Sequence, residues 1–354
     1  MPQDYKLLTE SVKDRINPDH LAFQRSFDEE LGTLSYSGDV LVYVRLAMKG
    51  VPPEYTRRSR LAGERVKDHL SSLTNVSFRY QGSVMTNTHI IANSDIDLLT
   101  ISDKFYYWDA SSAKKAINEN IYPAWQSEKL NREFNYSSYT GNVLDDLHNL
   151  RMDCERILSD KYSVCNIAKP KSIKIRNLDL KRDVDVVIAN YYDDVLAILN
   201  DKIADYRGIQ VYNKDTRTRG IPDYPFLSIS RINSRGDETV GRIKKMIRFL
   251  KNLKAKSKAD IILSSFDFNA ICYEINPDSY KNLAFYELVP VLYRQTKSLS
   301  QNKWHSDSLM SVDGREPIFL NNPEKLSSLQ AIHYEISIVY NDLLSTGKLG
   351  KIYV

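Results

Sequence analysis

The chain has 354 residues, 42% of them hydrophobic and 27% charged, and a net charge of only +4. This is an ordinary globular mixture, long enough for two domains, and it excludes a nucleic-acid coat protein, so any phosphate binding must come from local basic clusters. Three cysteines without a CxxC pair argue against a disulfide framework and a zinc site, and without an apolar leader or a membrane-length apolar stretch a cytoplasmic protein with no membrane partner is expected.

Residues 1–72 read as mostly helical. Pro53 opens PEYTRRSRLAGERVKDHLSSL, where Leu61, Val66 and Leu70 recur at roughly helical spacing. VSFRY (76–80) predicts a short strand and IDLLTIS (96–102) a second. SAKKAINENIYPAW and VLDDLHNLRMDCERIL predict helices, while SIKIR (172–176) and KRDVDVVIAN (181–190) predict strands. YRGIQVYNKDTRTRGIPDYP is polar and turn-rich and reads as a connection between lobes. From about residue 237 the chain reads as helical through TVGRIKKMIRFLKNLKAK, SFDFNAICYEI, LAFYELVPVLYRQTKSL and LSSLQAIHYEISIVYNDLL. The order predicts an α+β lobe over 1–205 and a helical lobe over 206–354.

Two strands begin with carboxylates. Residues two apart on a strand share a face and lie about 6.5 Å apart, so Asp95 and Asp97 project together, with Ile96 opposite. Asp183 and Asp185 repeat the arrangement in DVDVVIA. If the strands are neighbours, three or four carboxylates converge, and their mutual repulsion is relieved by a divalent cation. Such a cluster can hold two metal ions roughly 4 Å apart for in-line phosphoryl or nucleotidyl transfer. Upstream, Gly82-Ser83 follows an apolar-aromatic run. A glycine there lets backbone approach a ligand, and a short helix starting at Ser83 would aim N–H groups at a triphosphate.

Gly82-Ser83, eleven residues, then Asp95-Ile96-Asp97 and a later strand aspartate resemble the nucleotidyltransferase signature of the DNA polymerase beta superfamily. YQGSVMTNTHIIANSDIDLL, VDVVIA and IRFLKNLK…SSFDFNAICYEI together resemble, more narrowly, the bacterial CD-NTases (cGAS/DncV-like nucleotidyltransferases). These are relatives of cyclic GMP-AMP synthase and oligoadenylate synthase that make nucleotide second messengers in anti-phage (CBASS) defence. The resemblance covers most of residues 50–320. It implies a polymerase-beta-like core, a short mixed sheet flanked by helices, with a helical C-terminal lobe and the active site in the cleft between. By the same resemblance Asp95, Asp97 and Asp185 bind two Mg²⁺ (or Mn²⁺), and Asp185 helps deprotonate the attacking ribose hydroxyl. Gln81, Gly82 and Ser83 match the phosphate turn. Ile188 stands where relatives often have proline, which alters only the strand exit. Asp183 is extra to the pattern and either assists the site or pairs with Arg182 or Lys181.

Residues 241–258 hold eight basic side chains and no acid. Ile243, Ile247, Leu250 and Leu253 form an apolar helical face, and Lys251 lies at its seam. A lysine there can reach a triphosphate. Relatives carry such a lysine and, about one helix-turn-helix later, a serine on the same triphosphate; Ser265 fits that place, with Ser264 a near competitor. His89 reads as structural. The expected activity joins NTPs (ATP and/or GTP, with pyrimidine NTPs left open) into a cyclic di- or oligonucleotide and releases pyrophosphate. A downstream effector would bind the product, and a protein or nucleic-acid activator is a further partner. The alternatives are transfer to an RNA end, a protein or a small-molecule hydroxyl, or a catalytically silent nucleotide or RNA sensor.

Overall fold

The computed structural model describes residues 3–13, 39–90, 96–136, 139–347 and 349. Asp95, one of the expected metal ligands, lies outside the described residues. The described helices, in chain order, begin with α1 (Tyr5–Lys13), α2 (Asp39–Met48), α3 (Pro53–His69), α4 (Ala110–Asn118), α5 (Ala124–Glu133) and α6 (Val143–Lys161). They continue with α7 (Val195–Leu199), α8 (Pro225–Glu238), α9 (Arg242–Lys256), α10 (Ser265–Tyr273), α11 (Leu288–Gln301), α12 (Lys303–Ser308) and α13 (Pro323–Ser345). The strands are β1 (Val76–Gln81), β2 (Ile96–Trp108), β3 (Cys165–Asn166), β4 (Ile173–Asn177), β5 (Arg182–Asp193), β6 (Gly208–Asn213) and β7 (Thr218–Arg219). None of the described helices is long and apolar enough to cross a membrane.

The described residues group into two compact units. A sheet unit is drawn from Arg57–Met85 and Asp95–Ser230, and a helical unit from Met1–Thr56, Thr86–Ser94 and Arg231–Val354. The expected division at 205/206 falls inside the sheet unit. The cause is the 206–225 segment, which is not a connection: β6 pairs antiparallel with β5, Ala189 opposite Val211, and turns into β7. Its polar residues hid an alternation, GIQVYN, whose Ile209 and Tyr212 are fully buried.

The sheet runs β1-β2-β5-β4-β3, with β6 also on β5. Among the described strands only β2 and β5 pair in parallel, with a register irregularity between Ser102 and Tyr106. The sheet is mixed, and the α+β expectation holds. β5 is bordered by β2 on one edge and by β4 then β6 on the other, and apolar clusters cover both its faces, so it reads as a near-continuous apolar run. Pleating sorts the side chains. Ile96, Leu98, Val184, Val186 and Ile188 face a core completed by Ala62 and Val66 of α3 and Leu147, Cys154 and Leu158 of α6. Leu99, Ile101, Val187, Ala189 and Tyr191 face the other way, against Ile209 and Phe226.

The stretch read as one helix, SAKKAINENIYPAW, is two. Asn120 takes a positive φ of 50° and Pro123 stands at the N-cap of α5, so the chain stops and restarts. Helical structure also resumes earlier than residue 237, at Pro225, where a proline in the first turn loses no hydrogen bond. In the helical unit, α9 buries Ile243, Met246, Ile247, Phe249, Leu250 and Leu253 in a core shared with α2, α10, α11 and α13.

Candidate active site

Strand register builds the site. Asp97 on β2 stands opposite Asp185 on β5, and Gln81 on β1 stands opposite Asp97. Partners in register project from the same face, on strands about 4.8 Å apart. Both aspartates are half-buried, and both lie on the face that carries Leu99 and Val187, away from α3 and α6. The apolar residues between them anchor the strands, while the odd positions at the strand starts carry the charges.

Gly82 closes against this pair. Its φ is +91°, and a Cβ there would stand 3.0 Å from Asp97 Oδ2. The residue is required twice, for its backbone angle and for the carboxylate beside it. The Met85 amide donates to the Gly82 carbonyl at 3.1 Å. The short helix expected at Ser83 is not formed; residues 83–87 are turns. An anion here would meet amides of a tight turn, the geometry of a backbone nest.

Asp185 is flanked by Ser172, whose Oγ donates to its Oδ1 at 3.3 Å, and by Lys169, whose Nζ lies 3.5 Å from the same oxygen. Neither was singled out from sequence. Their loop is held by Arg151, a fully buried arginine whose guanidinium donates to the carbonyls of Lys169 (2.9 Å), Ser172 (3.1 Å) and Ile167 (3.3 Å) and pairs with Glu155 at 2.7 Å. Lys214 donates to Glu155 at 2.9 Å and to the Ile167 carbonyl. A buried cation this fully hydrogen-bonded fixes a loop that has no secondary structure of its own. Asp183 is accounted for otherwise than expected: it pairs across to β4, 3.2 Å from Lys174 and 3.6 Å from Arg176, instead of with Arg182 or Lys181. The antiparallel register sets Arg176 opposite Asp183 and Lys174 opposite Asp185.

Among the described residues no group of three His, Cys, Asp or Glu is placed to hold a metal ion. Asp97 and Asp185 supply two carboxylates, and the lack of a Cβ at Gly82 lets the turn close on Asp97, so the donor set fits a hard divalent cation that completes its shell with phosphate oxygens and water.

Lys251 and Ser265 belong to the helical unit. Lys251 is 8% exposed, and its ammonium donates to the Thr88 carbonyl at 3.0 Å. Burial, with Arg248 nearby, brings its pKa down to about 8. Arg248 donates to the carbonyls of Met48 (2.9 Å) and Asn87 (2.6 Å), and Asn252 to that of Ala47 (2.8 Å). These two side chains satisfy carbonyls that the end of α2 leaves without helical partners. Ser264 is the N-cap of α10, in a capping box with Asp267. Ser265, at the first helical position, is exposed and makes no hydrogen bond among the described residues. His89 is buried, 3.1 Å from Thr56 Oγ1 and stacked on Tyr55, as a structural histidine would be.

Residues 230–339 match the family model of the cGAS/DncV-like nucleotidyltransferase C-terminal helical domain. A c-di-GMP synthase of Capnocytophaga granulosa is 48% identical, over 97% of this chain and 99% of its own. The solved structure of a STING-associated CdnE c-di-GMP synthase from the same organism superposes with a TM-score of 0.80 at 44% identity, covering 97% of this chain and 100% of that one. A STING-associated CdnE c-di-GMP synthase from Flavobacteriaceae sp. superposes at 0.86 with 36% identity, over 98% and 100% of the two chains.

Proposed function

This chain belongs to the cGAS/DncV-like nucleotidyltransferases, the CD-NTases, whose members join NTPs into cyclic nucleotides with release of pyrophosphate, and we propose that its product is cyclic di-GMP. The observation that carries the product is the 48% identity, over 99% of its length, to a relative that bears that name. The same likeness supports a STING-type effector as reader of the product in anti-phage signalling.

The chemistry is two nucleotidyl transfers. A ribose hydroxyl of one GTP attacks the α-phosphorus of another, the bond to the β-phosphate oxygen breaks, and pyrophosphate leaves. The linear dinucleotide retains one triphosphate, and a second transfer within it closes the ring with a second pyrophosphate. Asp95, Asp97 and Asp185 are assigned the binding of two Mg²⁺. When bound, Mg²⁺ neutralises phosphate oxygens and lowers the pKa of the attacking hydroxyl. Asp185 accepts the proton of that hydroxyl; the Ser172 hydroxyl and the Lys169 ammonium orient its carboxylate. Gln81, Gly82 and Ser83 bind the donor phosphates through the turn, and Lys251 and Ser265 bind the triphosphate tail. Most of the acceleration comes from positioning and charge neutralisation.

The test incubates the full chain with each NTP, alone and in pairs, with Mg²⁺ or Mn²⁺, and reads phosphatase-resistant products by mass spectrometry. Cyclic di-GMP from GTP alone, lost with EDTA and in Asp95→Ala/Asp97→Ala, is the expected outcome. A different cyclic product rejects the GTP assignment. Label found only in added RNA rejects cyclic synthesis, and a product that survives in the double variant rejects the site.

A further inference from the structure

At the corner between α11 and α12, within the helical unit, three side chains form a hydrogen-bonded chain. Ser298 Oγ lies 2.8 Å from His305 Nδ1, and His305 Nε2 lies 2.9 Å from Glu274 Oε2. Helix capping brings them together. Asn302 ends α11, its amide donating to the Ser298 carbonyl at 2.9 Å. The same residue starts α12, its side chain accepting from the His305 amide at 3.2 Å. The two helices meet at that residue, which returns the imidazole to Ser298, seven residues earlier. Glu274 comes from the end of α10, as its C-cap, and its Oε2 also accepts from the Gln295 side-chain amide. Ser298 is exposed, whereas the imidazole and the carboxylate are 22% and 32% exposed.

A carboxylate accepts hydrogen bonds and does not donate them, so in the neutral imidazole the Nε2 hydrogen points to Glu274. Nδ1 then presents its lone pair to the Ser298 hydroxyl, which donates. A hydroxyl on a base that a third group orients is the pattern of an activated nucleophile, recognised by geometry and roles and not by sequence position. The nucleotidyl transfer assigned above uses none of these residues. We propose that Ser298 is an acyl acceptor toward activated carboxylic esters, with His305 as its general base. The Ser298 oxygen bonds to the carbonyl carbon, and its proton passes to His305 Nδ1. The bond to the leaving oxygen breaks, and that oxygen takes the proton from Nδ1, which leaves a serine ester and an alcohol. Glu274 is a positioning residue: it fixes the tautomer and faces the imidazolium that forms in passing. A general base contributes about 10²–10⁴ in rate, enough for an ester with a good leaving group and too little for an amide. An uncharged ester is favoured over a phosphoryl donor, because the carboxylate beside the imidazole repels an approaching phosphate.

The test treats the full chain with p-nitrophenyl acetate and locates acetyl groups by peptide mass spectrometry. Neutral hydroxylamine separates serine esters, which it removes, from lysine amides, which it leaves. Ser308 is the internal reference: it is also exposed, but its hydroxyl donates to the His305 carbonyl at 3.0 Å instead of to an imidazole. Ser298 is expected to acylate faster than Ser308 by about tenfold or more, a comparison that needs no variant. His305→Gln keeps a polar side chain but removes the base, and should slow Ser298 by about a hundredfold. Glu274→Gln should slow it less. The pH profile of the wild-type rate should carry the titration of an imidazole and His305→Gln should lose it, a change that a purely structural hydrogen bond would not produce. Equal acylation of Ser298 and Ser308 would overturn the proposal, as would an unchanged Ser298 rate in His305→Gln. Acetyl carried on His305 itself, and undiminished in Ser298→Ala, would overturn it too, since the imidazole would then be the nucleophile.

Discussion

Gly82→Ala should separate stability from catalysis. The native φ of +91° costs an L-residue about 1–2 kcal/mol. For a unit of this size that lowers the thermal midpoint by about 2–8 °C. The second effect is local. The new Cβ would stand 3.0 Å from Asp97 Oδ2, so either the carboxylate or the turn yields by a few tenths of an ångström. The turn is tied by the Met85 amide and the strand by its register with β1 and β5, which leaves the Asp97 side chain to move. Displacing a carboxylate to which metal binding is assigned from its partner Asp185 should cost on the order of a hundredfold in synthesis rate. Gly347→Ala is the control, with a positive φ of 68° and nothing within 4 Å of the added Cβ. It should lose comparable stability and keep its activity. The assay is initial rate of cyclic dinucleotide formation at saturating GTP and Mg²⁺, beside a thermal melt for each variant. Equal rates in the two variants would refute the reasoning that Gly82 is required by Asp97.

The other predictions follow from neighbouring contacts. Asp185→Asn should abolish synthesis, whereas Asp183→Asn, which loosens only the pairs with Lys174 and Arg176, should change the rate by less than about threefold and stability by less than about 1 kcal/mol; rates and melts of the two variants check this. Arg151→Ala should lower stability by about 3–5 kcal/mol, because the buried pair with Glu155 is broken, leaving Glu155 to Lys214 alone, and the carbonyls of Lys169 and Ser172 lose their donor, and should also lower the rate, since Ser172 and Lys169 lose their place beside Asp185; urea unfolding and initial rates measure the two effects. Lys251, with a folded pKa of about 8 against 10.5, binds fewer protons folded than unfolded between those values. Its burial therefore costs most below pH 8, and stability should rise with pH across that window, by about 3 kcal/mol at most. Nucleotide affinity should move the opposite way, falling as pH climbs through about 8 and the ammonium is lost; unfolding curves and nucleotide titrations at matched pH test both signs.

Local pattern was enough for much of this protein. The apolar runs of β2 and β5, the paired aspartates that open them, the glycine turn and the amphipathic basic helix are all legible because strand and helix periods dictate which side chains share a face. Period alone could not say that β2 and β5 are parallel neighbours with Asp97 opposite Asp185, since strand pairing is a contact between residues 88 apart in the chain. It also could not foresee that β6 would complete the edge of β5, or that Thr86–Ser94 would join helices from the C-terminal half. Arg151, Ser172 and Lys169 were invisible for the same reason: no motif marks a buried arginine whose partners are backbone carbonyls, and only folding brings those carbonyls to it. The sequence by itself determined the chemistry, because residue types and their spacing are local facts. The tertiary structure decided which charges meet and which are neutralised by neighbours, because those outcomes depend on distances that no window of sequence contains.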